Sequence, residues 1–173
     1  MTGVTGAKPI AEAQTPGLAG VETFIRSVAD ELLAYFARRV TPHEDAADCL
    51  SETLLVLWRR RGTLPVTEDA RRAWTYGIAH NVLAANRRNG LRRLALTGRL
   101  RDELRTTPIA PESDDNDAID ALASLSARDQ ELVTLVAWEG LSIAEAGSAL
   151  GIRPDAARAR YSRARRTLRA RLS

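Results

Sequence analysis

Between Leu150 and Asp155 the chain reads LGIRPD, and that stretch leaves little freedom of local structure. Gly151 is the residue best able to leave a helix through a left-handed backbone conformation. Pro154 suits the first turn of a following helix, where its missing N–H removes no bond, and Asp155 complements the positive helix end. Upstream, Ser142 and Glu145 have the spacing of a capping box. Downstream, Ala157, Tyr161, Ala164, Leu168 and Leu172 recur every three or four residues as one apolar face. Arg158, Arg160, Arg163, Arg165, Arg166, Arg169 and Arg171 fall largely outside it. Residues 141–172 therefore read as a short helix, a tight turn and an arginine-bearing helix, the helix-turn-helix arrangement that enters a DNA major groove. A solvated terminal helix would share this pattern, so other parts of the chain must decide.

Charge supplies the next constraint. The net charge of +3 hides a segregated pattern, because 24 of the 25 basic residues are arginine and only Lys8 is lysine. Seven arginines lie between Arg87 and Arg105 and eight between Arg153 and Arg171, while Glu112, Asp114, Asp115, Asp117 and Asp120 form an acidic strip between them. Two basic clusters suggest two contacts with a polyanion. A GC-rich genome also raises arginine usage, so the clustering carries more weight than the total.

Apolar content dominated by Ala, Leu and Val, with few aromatics, suits helical bundles. No strand-like alternation persists, and the expected fold is all-α: two small helical domains joined by a flexible linker, the C-terminal one a helix-turn-helix domain. Glycine and proline punctuate residues 1–20, which read as a flexible N-terminal tail. Residues 21–92 form the first domain. Its first helix runs from about Glu22 to Val40, with Phe24, Ile25, Val28, Leu32, Tyr35 and Phe36 at helical spacing. A second, with Pro42 at its first position, runs to about Arg60; Ala46, Leu50, Leu54 and Leu57 lie on one face and Asp45, Asp48, Ser51 and Glu52 on the other. After the loop GTLPVT, Thr67 caps a third helix from Glu68 to about Arg88, with Trp74, Ile78 and Val82 buried. The basic segment from Leu91 to Arg105 reads as partly helical, and Pro108 and Pro111 with the acidic run break it, giving a linker over residues 93–116. Residues 117–173 form the second domain, where Ser126 caps a helix holding Leu132, Leu135, Val136 and Trp138.

Catalysis finds little support. His43, His80 and Cys49 give no metal-ligand spacing, and no phosphate-cradling glycine loop or nucleophile elbow is present. The acidic face of the second helix is the pattern of a solvated surface. No enzyme activity, catalytic residue, metal or cofactor is therefore expected. A lone cysteine fits a reducing compartment. With no apolar stretch long enough to cross a bilayer and no signal-peptide core, a cytoplasmic protein without membrane insertion is expected.

Three motifs together carry a family resemblance. Asp45-Ala46-Ala47-Asp48-Cys49-Leu50-Ser51-Glu52-Thr53, with Trp58 following, resembles the region 2.2 helix of bacterial sigma factors of the sigma-70 family. Trp74-Thr75-Tyr76-Gly77-Ile78-Ala79-His80-Asn81, followed by Arg87-Arg88, resembles their regions 2.3 and 2.4. The stretch from Gly140 to Arg165 resembles their region 4.2. A short two-domain chain with no intervening region-3 domain is similar to the extracytoplasmic-function (ECF) subfamily. The resemblance implies a subunit that directs core RNA polymerase to particular promoters.

Carried onto this chain, the resemblance implies that Asp48, Ser51 and Glu52 dock on the coiled coil of the polymerase beta-prime subunit, Ser51 replacing the usual glutamine. The second domain would reach the beta flap. Arg61 and Thr63 would hold a base flipped from the −10 element, Asn81 would line the approach, and Arg87 and Arg88 would follow the strand backbone. Gly77 stands where the family usually has arginine. Arg158 would read −35 bases, with Arg160, Ser162, Arg163 and Arg165 at the same element, while Ala157 and Ala159 depart from the usual residues. An anti-sigma factor is an implied partner besides polymerase and promoter DNA. Of two rival readings, a regulator with a sensory N-terminal domain has no need of the 45–53 helix or the Trp74 to Asn81 pattern, and an adaptor that keeps the helices but never opens DNA has no need of the paired arginine clusters.

Overall fold

The computed structural model describes residues 17–42, 44–98 and 116–172, and all regular structure among them is helical. Tail residues 1–16, His43, the linker arginines 99–105 and the acidic residues 112–115 lie outside the described residues. The order is α1 (Leu18–Ala37), α2 (Glu44–Arg59), a 3-10 turn (Arg61–Thr63), α3 (Glu68–Gly98), α4 (Asn116–Ala123), α5 (Ala127–Ala137), α6 (Ile143–Ala149) and α7 (Pro154–Leu172).

Three boundaries differ from expectation. α1 begins at Leu18, taking in the end of the expected 1–20 tail: the Gly17 carbonyl accepts from Gly20 and Val21, and Val21 is buried. α2 begins at Glu44, because the Pro42 carbonyl already accepts from the Asp45 N–H at 3.2 Å. α3 runs to Gly98, into the expected 93–116 linker. Leu, Arg and Ala dominate there, no proline intervenes, and a single interior glycine such as Gly90 costs only about 1 kcal/mol.

Elsewhere local chemistry acts as read. Ser126 caps α5, accepting from the Asp129 N–H. Ser142 and Glu145 close a full capping box on α6, at 3.2 and 2.7 Å. Gly151 takes φ 62°, and the Ile152 N–H returns to the Gly147 carbonyl at 2.7 Å. α6 and α7 then approach so closely that a Cβ on Gly147 would lie 2.7 Å from that of Ala157.

α1, α2 and α3 pack around Leu32, Tyr35, Phe36, Leu57 and Leu83, whereas α4 to α7 enclose Leu132, Leu135, Ala146 and Ala157. Trp138, expected inside α5, is instead its C-cap residue and 51% exposed. The two halves meet directly: α6 lies on α3, and the buried residues of both join one continuous cluster.

Candidate nucleic-acid and partner interfaces

On α2 the period of the helix sets Asp48, Ser51, Glu52 and Leu55 on one exposed face. The Ser51 hydroxyl donates to the Ala47 carbonyl at 2.9 Å, so Asp48 and Glu52 are the polar groups this face presents outward. Leu55, 53% exposed, was not singled out from sequence, where leucines on this helix read as core. Behind the face Cys49 is buried. Burial pushes its thiol up, and Asp45, Glu52 and Asp48 push it further.

The loop after α2 is held from within. Arg61 stacks on Trp58, its guanidinium carbon 4.8 Å from the ring centroid, and donates to the Trp58 carbonyl at 2.9 Å. Thr63 donates to the Arg60 carbonyl at 2.9 Å. Arg71, not picked out from sequence, donates to the carbonyls of Pro65 and Val66, each at 3.1 Å, and fastens the loop to α3. Its signal was no more than an arginine shortly after a loop.

Asn81 is exposed on α3 and lines a groove of about 210 Å³ with Glu52, Val56 and Arg60. The acidic α2 face and the Asn81 approach therefore adjoin. Arg88, seven residues on, shares the Asn81 side of α3. Arg87 does not. It follows His80 around the helix and lines a different cleft of about 360 Å³, with Arg128 and Glu131 from α5. His80 Nδ1 there is buried without a hydrogen bond, 4.0 Å from Glu131 Oε1. Burial lowers the His80 pKa, Glu131 opposes, and Arg87, Arg128 and Arg39 add to the fall.

On α7, Arg158, Ser162, Arg163 and Arg165 are exposed. Arg158 is ion-paired with Asp155 one turn earlier. Arg160 is half-buried and braces α7 to α5, Nη1 lying 2.8 Å from Asp129 Oδ1. Burial alone would raise the Asp129 carboxyl. Hydrogen bonds from Ser126 and Arg160, with the charges of Arg160 and Arg163, outweigh it and hold the group below the ordinary carboxylate range. Four of the five residues thus face solvent, and the fifth is structural as well as cationic.

Among the described residues no cluster of three or more His, Cys, Asp or Glu is arranged to hold a metal ion, and no helix is long and apolar enough to cross a membrane.

Two family descriptions match this chain: Sigma-70 region 2 over residues 24–93 and Sigma-70, region 4 over residues 116–168. Among curated relatives, the ECF RNA polymerase sigma factor SigF of Caulobacter vibrioides is 35% identical over 147 residues, covering 82% of this chain and 79% of SigF. The chain belongs to the ECF sigma factors of the sigma-70 family. BldN of Streptomyces coelicolor, also an ECF sigma factor, is 36% identical over 146 residues, 81% of this chain but only 55% of BldN. SigL of Mycobacterium tuberculosis is 29% identical over 168 residues, covering 91% of this chain and 94% of SigL. In fold, the chain matches the sigma factor RpoE of Bartonella quintana, solved with the anti-sigma factor NepR, at a TM-score of 0.65 with 24% identity over 87% of this chain and 95% of that one. CnrH, solved with the cytosolic domain of CnrY, matches at a TM-score of 0.60 with 21% identity over 92% of each chain. Sigma factors are transcription initiation factors, not enzymes.

Proposed function

We propose that this ECF sigma factor binds core RNA polymerase and directs promoter-specific initiation by reading −35 duplex DNA with α7 and capturing the melted −10 element with the N-terminal half. The observation that carries this reading is the adjacency of the acidic α2 face to the Asn81 groove, with a separate arginine-lined helix on α7. A DNA-binding regulator needs only the last of these.

Asp48 and Glu52, with Leu55 beside Asp48 on the same exposed face, form the docking face for the beta-prime coiled coil. The 3-10 turn is a pre-built platform beside which Asn81 and Arg88 meet single-stranded DNA. Flipping a base out of the stack costs a few kcal/mol unless a pocket receives it, so a loop already fastened by Arg71 lowers the ordering required at that moment. On α7, Arg158 and Ser162 face base edges, while Arg163 and Arg165 hold phosphates, which position without specifying. Two modest contacts on one chain reinforce each other through effective concentration. The beta flap and an anti-sigma factor complete the proposed partners, and the work belongs in the cytoplasm, where polymerase and promoter DNA lie.

The test is transcription in vitro from a promoter library with core polymerase, with and without this protein. Discrete starts that need the protein support the reading; none from any promoter would overturn it.

A further inference from the structure

The promoter reading leaves one cationic cleft without a task. α3 supplies His80 and Arg87 to it, α5 supplies Ala127, Arg128 and Glu131, and Leu150 closes one end; together they line about 360 Å³. Small-ligand sites run from about 300 to 1,000 Å³, so this cleft suits a small guest. Arg87 makes no hydrogen bond or ion pair among the described residues. Arg128 gives one donor to the Leu150 carbonyl at 3.0 Å, which leaves most of its guanidinium N–H groups uncommitted.

The acids nearby do not cancel these two cations. Glu131 is 9% exposed, accepts the Tyr35 hydroxyl at 2.7 Å and lies 3.4 Å from Arg39 Nε. Arg39 also meets Glu139 at 2.9 Å, and Arg38 meets Glu139 at 2.7 Å. Buried carboxylates are strongly unfavourable unless paired, and Arg38 and Arg39 pair both. Asp129, the acid in the first turn of α5, is taken by Arg160 at 2.8 Å. Arg87 and Arg128 remain as surplus positive charges, brought to one cleft by different helices. Ala127 and Arg128 also open α5, where the first N–H groups of a helix have no partner within it.

His80 completes the cleft. Its Nδ1 is buried without a hydrogen bond, 4.0 Å from Glu131 Oε1. Burial holds its pKa down, and the charges of Arg87, Arg128 and Arg39 add to that against Glu131. Buried polar atoms are nearly always hydrogen-bonded. An anion between the arginines would offset their charge, so the ring could take a proton and Nδ1–H could turn to Glu131.

We propose that this cleft is a binding site for a small phosphate-bearing anion, clamped by Arg87 from α3 and Arg128 from α5. The guanidinium fork matches phosphate oxygens bidentately, and two forks suit an anion with oxygens on two sides, such as a diphosphate group. Walls on both sides favour a free anion over the backbone of a duplex, which needs an open face. The site goes beyond the promoter reading and requires neither polymerase nor promoter DNA.

The experiment is calorimetric titration of the full chain with pyrophosphate, with inorganic phosphate and sulfate for comparison, at a constant ionic strength of about 0.15 M to screen loose surface contacts. One site should appear, tighter for pyrophosphate than for sulfate. Arg87→Gln and Arg128→Gln should each weaken it at least tenfold, while Arg26→Gln on α1, outside the cleft, leaves it unchanged. Arg87 holds nothing in the fold, so its loss reads on binding rather than folding. The chain has two histidines, so proton magnetic resonance with His80→Gln as the assignment control isolates the His80 ring, whose titration should move to higher pH when pyrophosphate binds. No saturable binding, equal binding by Arg87→Gln and the wild type, or a His80 titration that pyrophosphate leaves in place would overturn the site. A duplex oligonucleotide that moves the His80 titration as pyrophosphate does would overturn the assignment to a small anion.

Discussion

Gly147→Ala tests the spacing of the two helices that make the proposed DNA-reading unit. The added Cβ would lie 2.7 Å from Ala157 Cβ and 3.3 Å from the Ile152 carbonyl oxygen. Carbon atoms pack at about 3.5–4.0 Å, so α6 and α7 must part by about 1 Å. Ala157 is fully buried and has no rotamer through which to yield. Overpacking of this kind costs about 1–3 kcal/mol. With a carbonyl blocking the second direction the upper half of that range applies, and alanine's helix propensity offsets about 1 kcal/mol. The net loss is about 1–2 kcal/mol, a fall in melting temperature of roughly 2–8 °C. Calorimetry should show that fall, and affinity for a −35 duplex should drop several-fold as α7 shifts on α6. In Gly147→Ala/Ala157→Gly the clash is relieved, so the pair should couple by at least about 1 kcal/mol. If Gly147→Ala raises the melting temperature, or the double variant equals the sum of the singles, the close approach of α6 and α7 is not what sets this unit.

Further tests follow from the exposed faces and the α7 brace. Arg158→Ala should relax preference at one −35 position by about 1–3 kcal/mol in a sequence-resolved binding assay; an equal loss on every sequence would leave Arg158 a phosphate contact. Asp48→Arg with Glu52→Arg should weaken core-polymerase binding at least tenfold and leave affinity for the −35 duplex unchanged, whereas equal losses in both titrations would point to misfolding. Burial would raise the Asp129 carboxyl, but Ser126 and Arg160 hold it below its ordinary value, so it stabilises the fold fully above the unfolded value near pH 4 and loses that contribution progressively as pH falls below it and through the folded value. Asp129→Asn should therefore lower the melting temperature at pH 7, and the gap to the wild type should narrow as pH falls below about 4; a gap independent of pH would refute the brace.

Local chemistry was legible in this sequence; long-range registry was not. The Ser142–Glu145 box, the Ser126 cap and the left-handed Gly151 follow from residues within four positions of one another, and the structure bears them out. The outward faces of α2 and α7 followed from the 3.6-residue period alone. Arg39 and Glu139 were not singled out from the sequence because nothing local joins residues 100 apart, yet they are among the least exposed charges described. Gly77 read only as a departure from the family's usual arginine; the structure sets it against the backbone of α6 at Ala149. Arg87 looked like a companion of Arg88 because the two are adjacent in sequence, but a helix turns neighbours by about 100°, so Arg87 lines the cleft with Arg128 while Arg88 lies on the Asn81 side.

Tyr35 lies where the two halves meet, edge-on to Phe36 and Tyr76, beneath the Arg39 guanidinium and hydrogen-bonded to Glu131. The chain's three tryptophans are distributed around it: Trp58 under Arg61 at the 3-10 turn, Trp74 half-buried on α3, and Trp138 at the rim, 5.7 Å from Arg39. Each indole adjoins a different part of the proposed working cycle, so three single-tryptophan versions would give optical channels for strand capture, helix packing and the contact between the halves. The arginine that neutralises the buried acids also sits beside the Trp138 ring. Any change in how the two halves meet alters the distance from that cation to the indole, so the fluorescence of Trp138 reports on their contact.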